Sequence, residues 1–241
     1  MSSSADRYLT VFSPEGKLWQ VEYAFKAVKQ SEVTAVGVKG KNCVAVVVQK
    51  KVPDRLIDPK TVTHMFRITE NVGSCLVGYV PDVYYICRRL RYEAGIFERK
   101  NGFTIPVSVL ASRLSEIHQL ESQYAGLRPT AVSALLFGYD SSTNDFALFK
   151  VEPSGFFSGY RAVSCGVKEV EAMSALEKKM GAFESPDQAA EFAVSTLQTV
   201  VGVDFEAKEI ELAVMTKDSM RFNLLNTESI DKILHAVAEK D

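Results

Sequence analysis

The apolar positions of this chain change period several times, and each change marks an element. Leu18, Val21, Phe25 and Val28 recur at helical spacing with Ala24 beside them, while Lys17, Glu22, Lys26 and Lys29 fall on the other side. That pattern predicts an amphipathic helix. Ahead of it stands Ser13-Pro14-Glu15-Gly16, which reads as a turn: Pro14 presets φ to about −65°, and Gly16 tolerates whatever φ a tight turn requires. Residues 6–12 alternate loosely and read as a short extended arm. Val33 to Val38 and Cys43 to Val48 are then two β-branched runs around Gly40-Lys41-Asn42, a predicted hairpin whose second strand is apolar enough to be buried on both faces. Pro53 takes the chain out of the sheet. Met65 to Ile68 and Val72 to Val77 predict a second hairpin.

From Pro81 the period becomes helical, with Val83, Ile86, Leu90, Ala94 and Phe97 on one stripe as far as about Lys100, and Asn101-Gly102 as the stop. A second helix follows from Val107 to Tyr124, striped by Val107, Leu110, Ala111, Leu114, Ile117, His118 and Glu121. Strand signals return over Ala131 to Tyr139, Phe146 to Val151, Gly155 to Ser158 and Arg161 to Cys165. Helical patterns resume at Lys168 to Lys179 and Pro186 to Val201. Glu209 to Thr216 alternates as a strand, with Arg221 to Leu224 as a candidate partner, and Thr227 to Ala238 closes the chain as a helix. Helices come in blocks and not singly between strands. That argues against a doubly wound parallel sheet and predicts two antiparallel sheets, face to face, covered by helix pairs in one domain.

Composition narrows the function classes. At 241 residues, 46% hydrophobic and 24% charged, the chain can bury a large core. A formal net charge of −2 gives no general electrostatic case for nucleic acid or an anionic membrane. Cys43, Cys75, Cys87 and Cys165 are scattered, which argues against zinc and for buried reduced thiols. Only His64, His118 and His235 are histidines, at spacings that fit no metal site; His118, on an apolar face, is expected to be a satisfied core residue. Neither a secretory signal nor a bilayer-spanning run is read in the sequence, so an intracellular protein is expected.

The wording of the first segment is more specific than its pattern. Asp6-Arg7, Thr10, Phe12-Ser13-Pro14-Glu15-Gly16, Leu18 and Gln20-Val21-Glu22-Tyr23-Ala24 resemble the N-terminal signature of α-type subunits of the 20S proteasome. Gly37 to Lys51, Thr61 to Gly73, Arg128-Pro129, Pro153-Ser154-Gly155, Ala162 to Gly166 and Leu176 to Lys179 resemble blocks of that family in the same order. Gln49 to Asp54 and Ile68 to Asn71 are most similar to members at the α1 ring position, the alpha type-6 group.

The resemblance implies a four-layer α-β-β-α sandwich of two antiparallel sheets, like that of N-terminal nucleophile hydrolases. It divides residues 1–241 into a gate arm and turn (1–16), an α-ring helix (17–30) and the sandwich (31–241). It also implies a non-catalytic subunit that gates substrate passage and docks regulatory caps, ATPase-containing or other, in ubiquitin-dependent protein degradation. Its partners would be the other α subunits of a hetero-heptameric ring, the β-ring subunits and unfolded substrates in transit, in cytoplasm and nucleus. No cofactor, metal, nucleic acid or membrane is expected. By position, Asp6, Arg7, Pro14, Gly16 and Tyr23 would form the gate and turn set, with Ala5 where the family has a tyrosine. Leu18, Val21, Phe25 and Val28 would face neighbouring subunits. His64 would stand in the pocket for regulator tails, where many α subunits carry lysine.

The same fold hosts hydrolases whose free N-terminal threonine is both nucleophile and base. Laid over that pattern, the nucleophile falls at about Val33, the aspartate at about Gln49 and the lysine at about His64, so no role is filled by the required residue type. The alternative, a proenzyme exposing Thr34 by self-cleavage, restores a hydroxyl but not the lysine. A third reading, a self-standing scaffold or binding module, predicts a well-behaved monomer, and the blandest reading of the first helix is that it covers its own sheet.

Overall fold

The computed structural model describes residues 10–124, 126–140 and 142–239. Among these residues, six α-helices and nine strands follow the sequence pattern closely. Helix α1 (Trp19–Lys29) leads into strands β1 (Thr34–Lys39) and β2 (Cys43–Gln49), then β3 (Met65–Arg67) and β4 (Val72–Gly78). Helices α2 (Val80–Asn101) and α3 (Val107–Gln123) precede β5 (Val132–Asp140), β6 (Asp145–Val151), β7 (Phe157–Gly159) and β8 (Ala162–Gly166). Helices α4 (Glu169–Lys179) and α5 (Pro186–Val201), strand β9 (Ile210–Thr216) and helix α6 (Thr227–Ala238) complete the order.

One sheet runs β8-β1-β2-β9 and the other β3-β4-β5-β6-β7, with every pairing antiparallel. Three apolar layers hold four layers of structure together. Between the sheets lie Ala35, Val46, Cys75, Phe137, Leu148 and Cys165. Outside the first sheet, Val36, Val47, Leu212 and Leu197 bring α4, α5 and α6 onto it. Outside the second, Leu76, Ile86, Leu110 and Leu136 do the same for α2 and α3. Strand β2 is buried at all seven positions because it borders both the sheet–sheet and the sheet–helix layer.

The helix ends are chemically explained. Pro81 and Asp82 occupy the first turn of α2, and Gly102, at φ 80°, closes it with its N–H on the Glu98 carbonyl at 2.8 Å. Helix α5 opens with a Ser185–Gln188 capping box and ends on Gly202 at φ 74°. The Asn226 side chain caps α6 by accepting from the Ser229 N–H at 2.9 Å.

Three expectations shift. Gly155 belongs to the turn after β6, at φ 85° with its N–H on the Glu152 carbonyl, so β7 begins later, at Phe157. The stretch 221–224 touches β9 through one bridge, Ala213 to Leu224, and does not extend the sheet. Helix α1 covers its own molecule: Val21, Ala24 and Val28 are buried, and Ala24 and Val28 enter the layer between the sheets.

His118 is in the core, as its position predicts, but neither ring nitrogen makes a hydrogen bond. Burial pulls its pKa down to about 4, against the opposing pull of the Pro153 carbonyl and the Asp82 carboxylate. The folded protein therefore keeps His118 neutral where the unfolded chain takes up a proton. Stability from this group is complete above about pH 6.5 and is lost as pH falls toward 4, to the extent of about 3 kcal/mol. Urea unfolding of the wild type and of His118→Leu will show that loss in the wild type alone. Parallel curves for the two proteins between pH 7 and pH 4 would refute it.

Candidate functional site: a sealed strand start and the turn ahead of it

The position where the fold's hydrolases carry their nucleophile lies at the start of β1. Thr34 is fully buried there. Its backbone N–H belongs to the Val33–Thr34 peptide bond and donates to Gln49 Oε1 at 2.9 Å. Its hydroxyl accepts from the Lys168 N–H at 3.3 Å. While the Val33–Thr34 peptide bond is intact, that nitrogen has no basic lone pair and cannot be the proton acceptor that this chemistry takes from a free amine. Gln49, where a carboxylate would tune the pair, supplies a neutral amide oxygen.

The segment upstream is fixed as firmly. Val33 is buried in the same layer as Ala24 and Val28, and its carbonyl accepts from the Val167 N–H at 3.0 Å. Gly166, at φ 108°, lets β8 approach so closely that a Cβ would lie 2.0 Å from the Val33 carbonyl oxygen. Opening the chain before Thr34 would detach helix α1 and expose that part of the core.

His64 does not substitute for a lysine. It is buried, and its Nδ1 lies 3.2 Å from the Leu76 carbonyl, which makes Nδ1 the protonated nitrogen of the neutral ring. Its backbone N–H donates to Glu211 Oε2 at 2.8 Å, and the other Glu211 oxygen stands 3.9 Å from Lys50 Nζ. Burial lowers the His64 pKa, and Lys50 adds to that; the Leu76 carbonyl and Glu211 oppose it without overcoming it. The structure thus joins Thr34 to Gln49, while the bonds of His64 run to Leu76 and Glu211. Glu211 is the residue that sequence reasoning missed. Its alternation with Ile210 and Leu212 was visible, but its partner is 147 residues away in sequence.

Ahead of the strand start is the predicted turn. The Gly16 N–H donates to the Ser13 carbonyl and the Ser13 N–H to the Lys17 carbonyl, both at 2.8 Å. Ser13 Oγ accepts from the Lys17 N–H at 3.2 Å. Gly16 sits at φ 76°. Tyr23 is on the outer side of α1, stacked on Trp19 at 6.4 Å between centroids, with Lys26 Nζ 5.7 Å from its own ring centre. Asp6, Arg7 and Ala5 lie outside the described residues. Of the helix residues assigned to neighbours, Val21 and Val28 are taken up by the chain's own core, because that side of α1 closes the end of the sandwich. Leu18 and Phe25 stay half-buried and available.

The chain is thus a four-layer α-β-β-α sandwich in which helix α1 and Val33 close the start of β1. Comparison with known proteins agrees. Residues 28–215 match the profile of the proteasome subunit family, and residues 6–27 match the N-terminal signature of A-type proteasome subunits. The chain belongs to the proteasome subunit family, among its α-type members. It is 42% identical to a probable proteasome alpha type-1 subunit of Schizosaccharomyces pombe, over 98% of this chain and 97% of that protein. It is 38% identical to the proteasome alpha type-6 subunit of Caenorhabditis elegans, over 100% and 98%. A proteasome alpha subunit of Pyrococcus abyssi is 33% identical over 98% and 88%.

Two substitutions probe this region. Gln49→Leu leaves the buried Thr34 N–H without an acceptor and will destabilise the chain by about 1–3 kcal/mol in urea unfolding; an unchanged midpoint would refute the bond. Gly16→Ala meets open space but not a permitted backbone, and will lower stability by about 1 kcal/mol, a fall in Tm of about 2–4 °C. An equal or higher Tm would show that the turn is not held at positive φ.

Proposed function

We propose that this chain is a non-catalytic subunit of a proteasome α ring that controls passage of unfolded protein into the particle and offers a docking surface for regulatory caps, in ubiquitin-dependent degradation in cytoplasm and nucleus. The observation that supports the non-catalytic part is the packing upstream of Thr34: Ala24, Val28 and Val33 are built into the inter-sheet core, and the Thr34 N–H is committed to Gln49. Support for the ring comes from the family, whose α subunits assemble with other α subunits and with β subunits.

The gate reading rests on the turn that joins the arm to α1. Backbone hydrogen bonds of Ser13, Gly16 and Lys17 close the corner ahead of α1. Phe12 and Val11, just before the corner, are exposed and offer apolar contacts to neighbours. The cap reading is weaker at His64 than in relatives with lysine there. A buried neutral imidazole supplies no charge for a tail carboxylate at neutral pH, and its lowered pKa delays that charge to more acidic conditions.

Intact mass and N-terminal sequence of the chain in its native particle test the proposal. Expected is a chain that retains the residues before Thr34, in a particle of several hundred kilodaltons. A chain beginning at Thr34, or one isolated as a free monomer, would overturn it.

A further inference from the structure

Ion pairs join the two halves of the sandwich at both ends of β6. At its first residue, Asp145 meets Lys39, the last residue of β1 in the other sheet, at 2.6 Å, and both side chains stay partly in water. At its other end is Lys150. Phe146 and Leu148 of β6 face the layer between the sheets, while Ala147, Phe149 and Val151 pack toward α2 and α3. Lys150 follows the first set by strand alternation, and its side chain is 5% exposed. The ammonium lies 2.8 Å from a Glu152 oxygen and also donates to Glu169 Oε1.

Of these two bonds, the one to Glu169 crosses the layer. Glu152 lies just after β6, in the same half as Lys150, whereas Glu169 opens α4, which packs on the other sheet. The crossing is at the Thr34 end. There β8 reaches Gly166 opposite Thr34, and the chain passes into Glu169 through Lys168, whose N–H donates to the Thr34 hydroxyl. Cys165 lies beside the trio and faces the inter-sheet layer, as does Cys75. Burial raises the Cys165 thiol pKa to about 12, so the thiol is inert while the layer is closed. A buried ion pair adds little net stability, because desolvation offsets its attraction, but cutting one leaves a charge that is drawn toward water.

We propose that the Lys150–Glu169 bond is the latch of the inter-sheet layer. It sets how often the sandwich opens at the Thr34 end, and so how far small reagents reach Cys165 and Cys75. The Lys39–Asp145 pair at the opposite end has no part in that. The latch is a property of the single chain and does not rest on the ring reading. Its release frees one helix end and leaves the outer layers packed, because Glu169 is the first residue of α4. Lys150 keeps Glu152 as its counter-ion in the open form, so opening strands no buried cation.

The chain's own buried cysteines report the outcome. Cys165 and Cys75 lie between the sheets, Cys43 in the helix layer outside the first sheet and Cys87 in that outside the second. The native full chain is treated with N-ethylmaleimide, and labelling at each cysteine is followed by peptide mass spectrometry. Glu169→Gln will speed labelling of Cys165 about tenfold or more, with Cys75 following, and leave Cys43 and Cys87 at their wild-type rates. Glu152→Gln keeps the crossing bond and Lys39→Met cuts the far pair; both will label Cys165 within about twofold of the wild type. An unchanged Cys165 rate in Glu169→Gln would overturn the latch. So would a rise shared equally by all four cysteines, which reports unfolding of the whole chain. A rise in Lys39→Met as large as that in Glu169→Gln would overturn the assignment to the Thr34 end.

Discussion

Val33 lies in the layer between the sheets, and Thr34 begins the strand at the centre of one of them. The peptide bond joining them couples helix α1 to the sandwich. Helix α1 buries Val21, Ala24 and Val28 on its inner side, and a fully buried valine contributes roughly 1.5–3 kcal/mol. Removing the segment would sacrifice several such contributions in a protein whose net stability is expected to be about 5–15 kcal/mol. The strand start is closed by the same apolar packing that holds the fold together, independently of what residue stands at position 34.

Polar groups inside the sandwich obey a related constraint. Each must find a partner where it lies, and the partners are distant in sequence. Asp82 is held by Arg128 through two bonds of 2.6 and 2.7 Å and accepts from the Ala131 N–H at 2.9 Å. These outweigh the burial that would otherwise raise its pKa, and the carboxyl stays below its ordinary range. Glu121 accepts from both the N–H and the hydroxyl of Thr130, yet burial dominates and its pKa rises. Lys150 is buried but flanked by Glu152 and Glu169, which together outweigh desolvation and keep it charged. Among the described residues, both ring nitrogens of His118 are buried without a hydrogen bond, as are Trp19 Nε1 and Arg89 Nε.

The contrast explains what could be read in advance. Periodicity reports which residues face an apolar layer. The helix-pair blocks, the buried β2 and the stripe of α3, including His118 and Glu121, were therefore legible in the sequence. The stop at Gly102 was legible too, because it acts within a few residues of itself. Long-range polar pairing was not. Nothing in the local sequence of Gln49 points to the Thr34 N–H, nor anything around Glu211 to His64. The absence of the required residue types at 49 and 64 could be read, but the reason that Thr34 is inaccessible could not. It lies in packing between α1 and a core assembled from both ends of the chain.

That packing also revises the role of α1. A helix facing only neighbours would need its whole stripe exposed in the free chain, a costly arrangement for an apolar surface. Here the stripe is divided. Val21 and Val28 close the core, while Leu18 and Phe25 remain partly open and Tyr23 stands outward beside Trp19. The division makes the helix a fixed mount: its inner side is immobilised by the sheets, and its outer side and the Ser13–Lys17 corner are thereby placed rigidly relative to them. Within a ring, contacts made by that outer side or by the arm would act on an element that cannot yield without disturbing the inter-sheet core. The packing that closes the strand start at Thr34 thus also fixes the Ser13–Lys17 corner relative to the sheets.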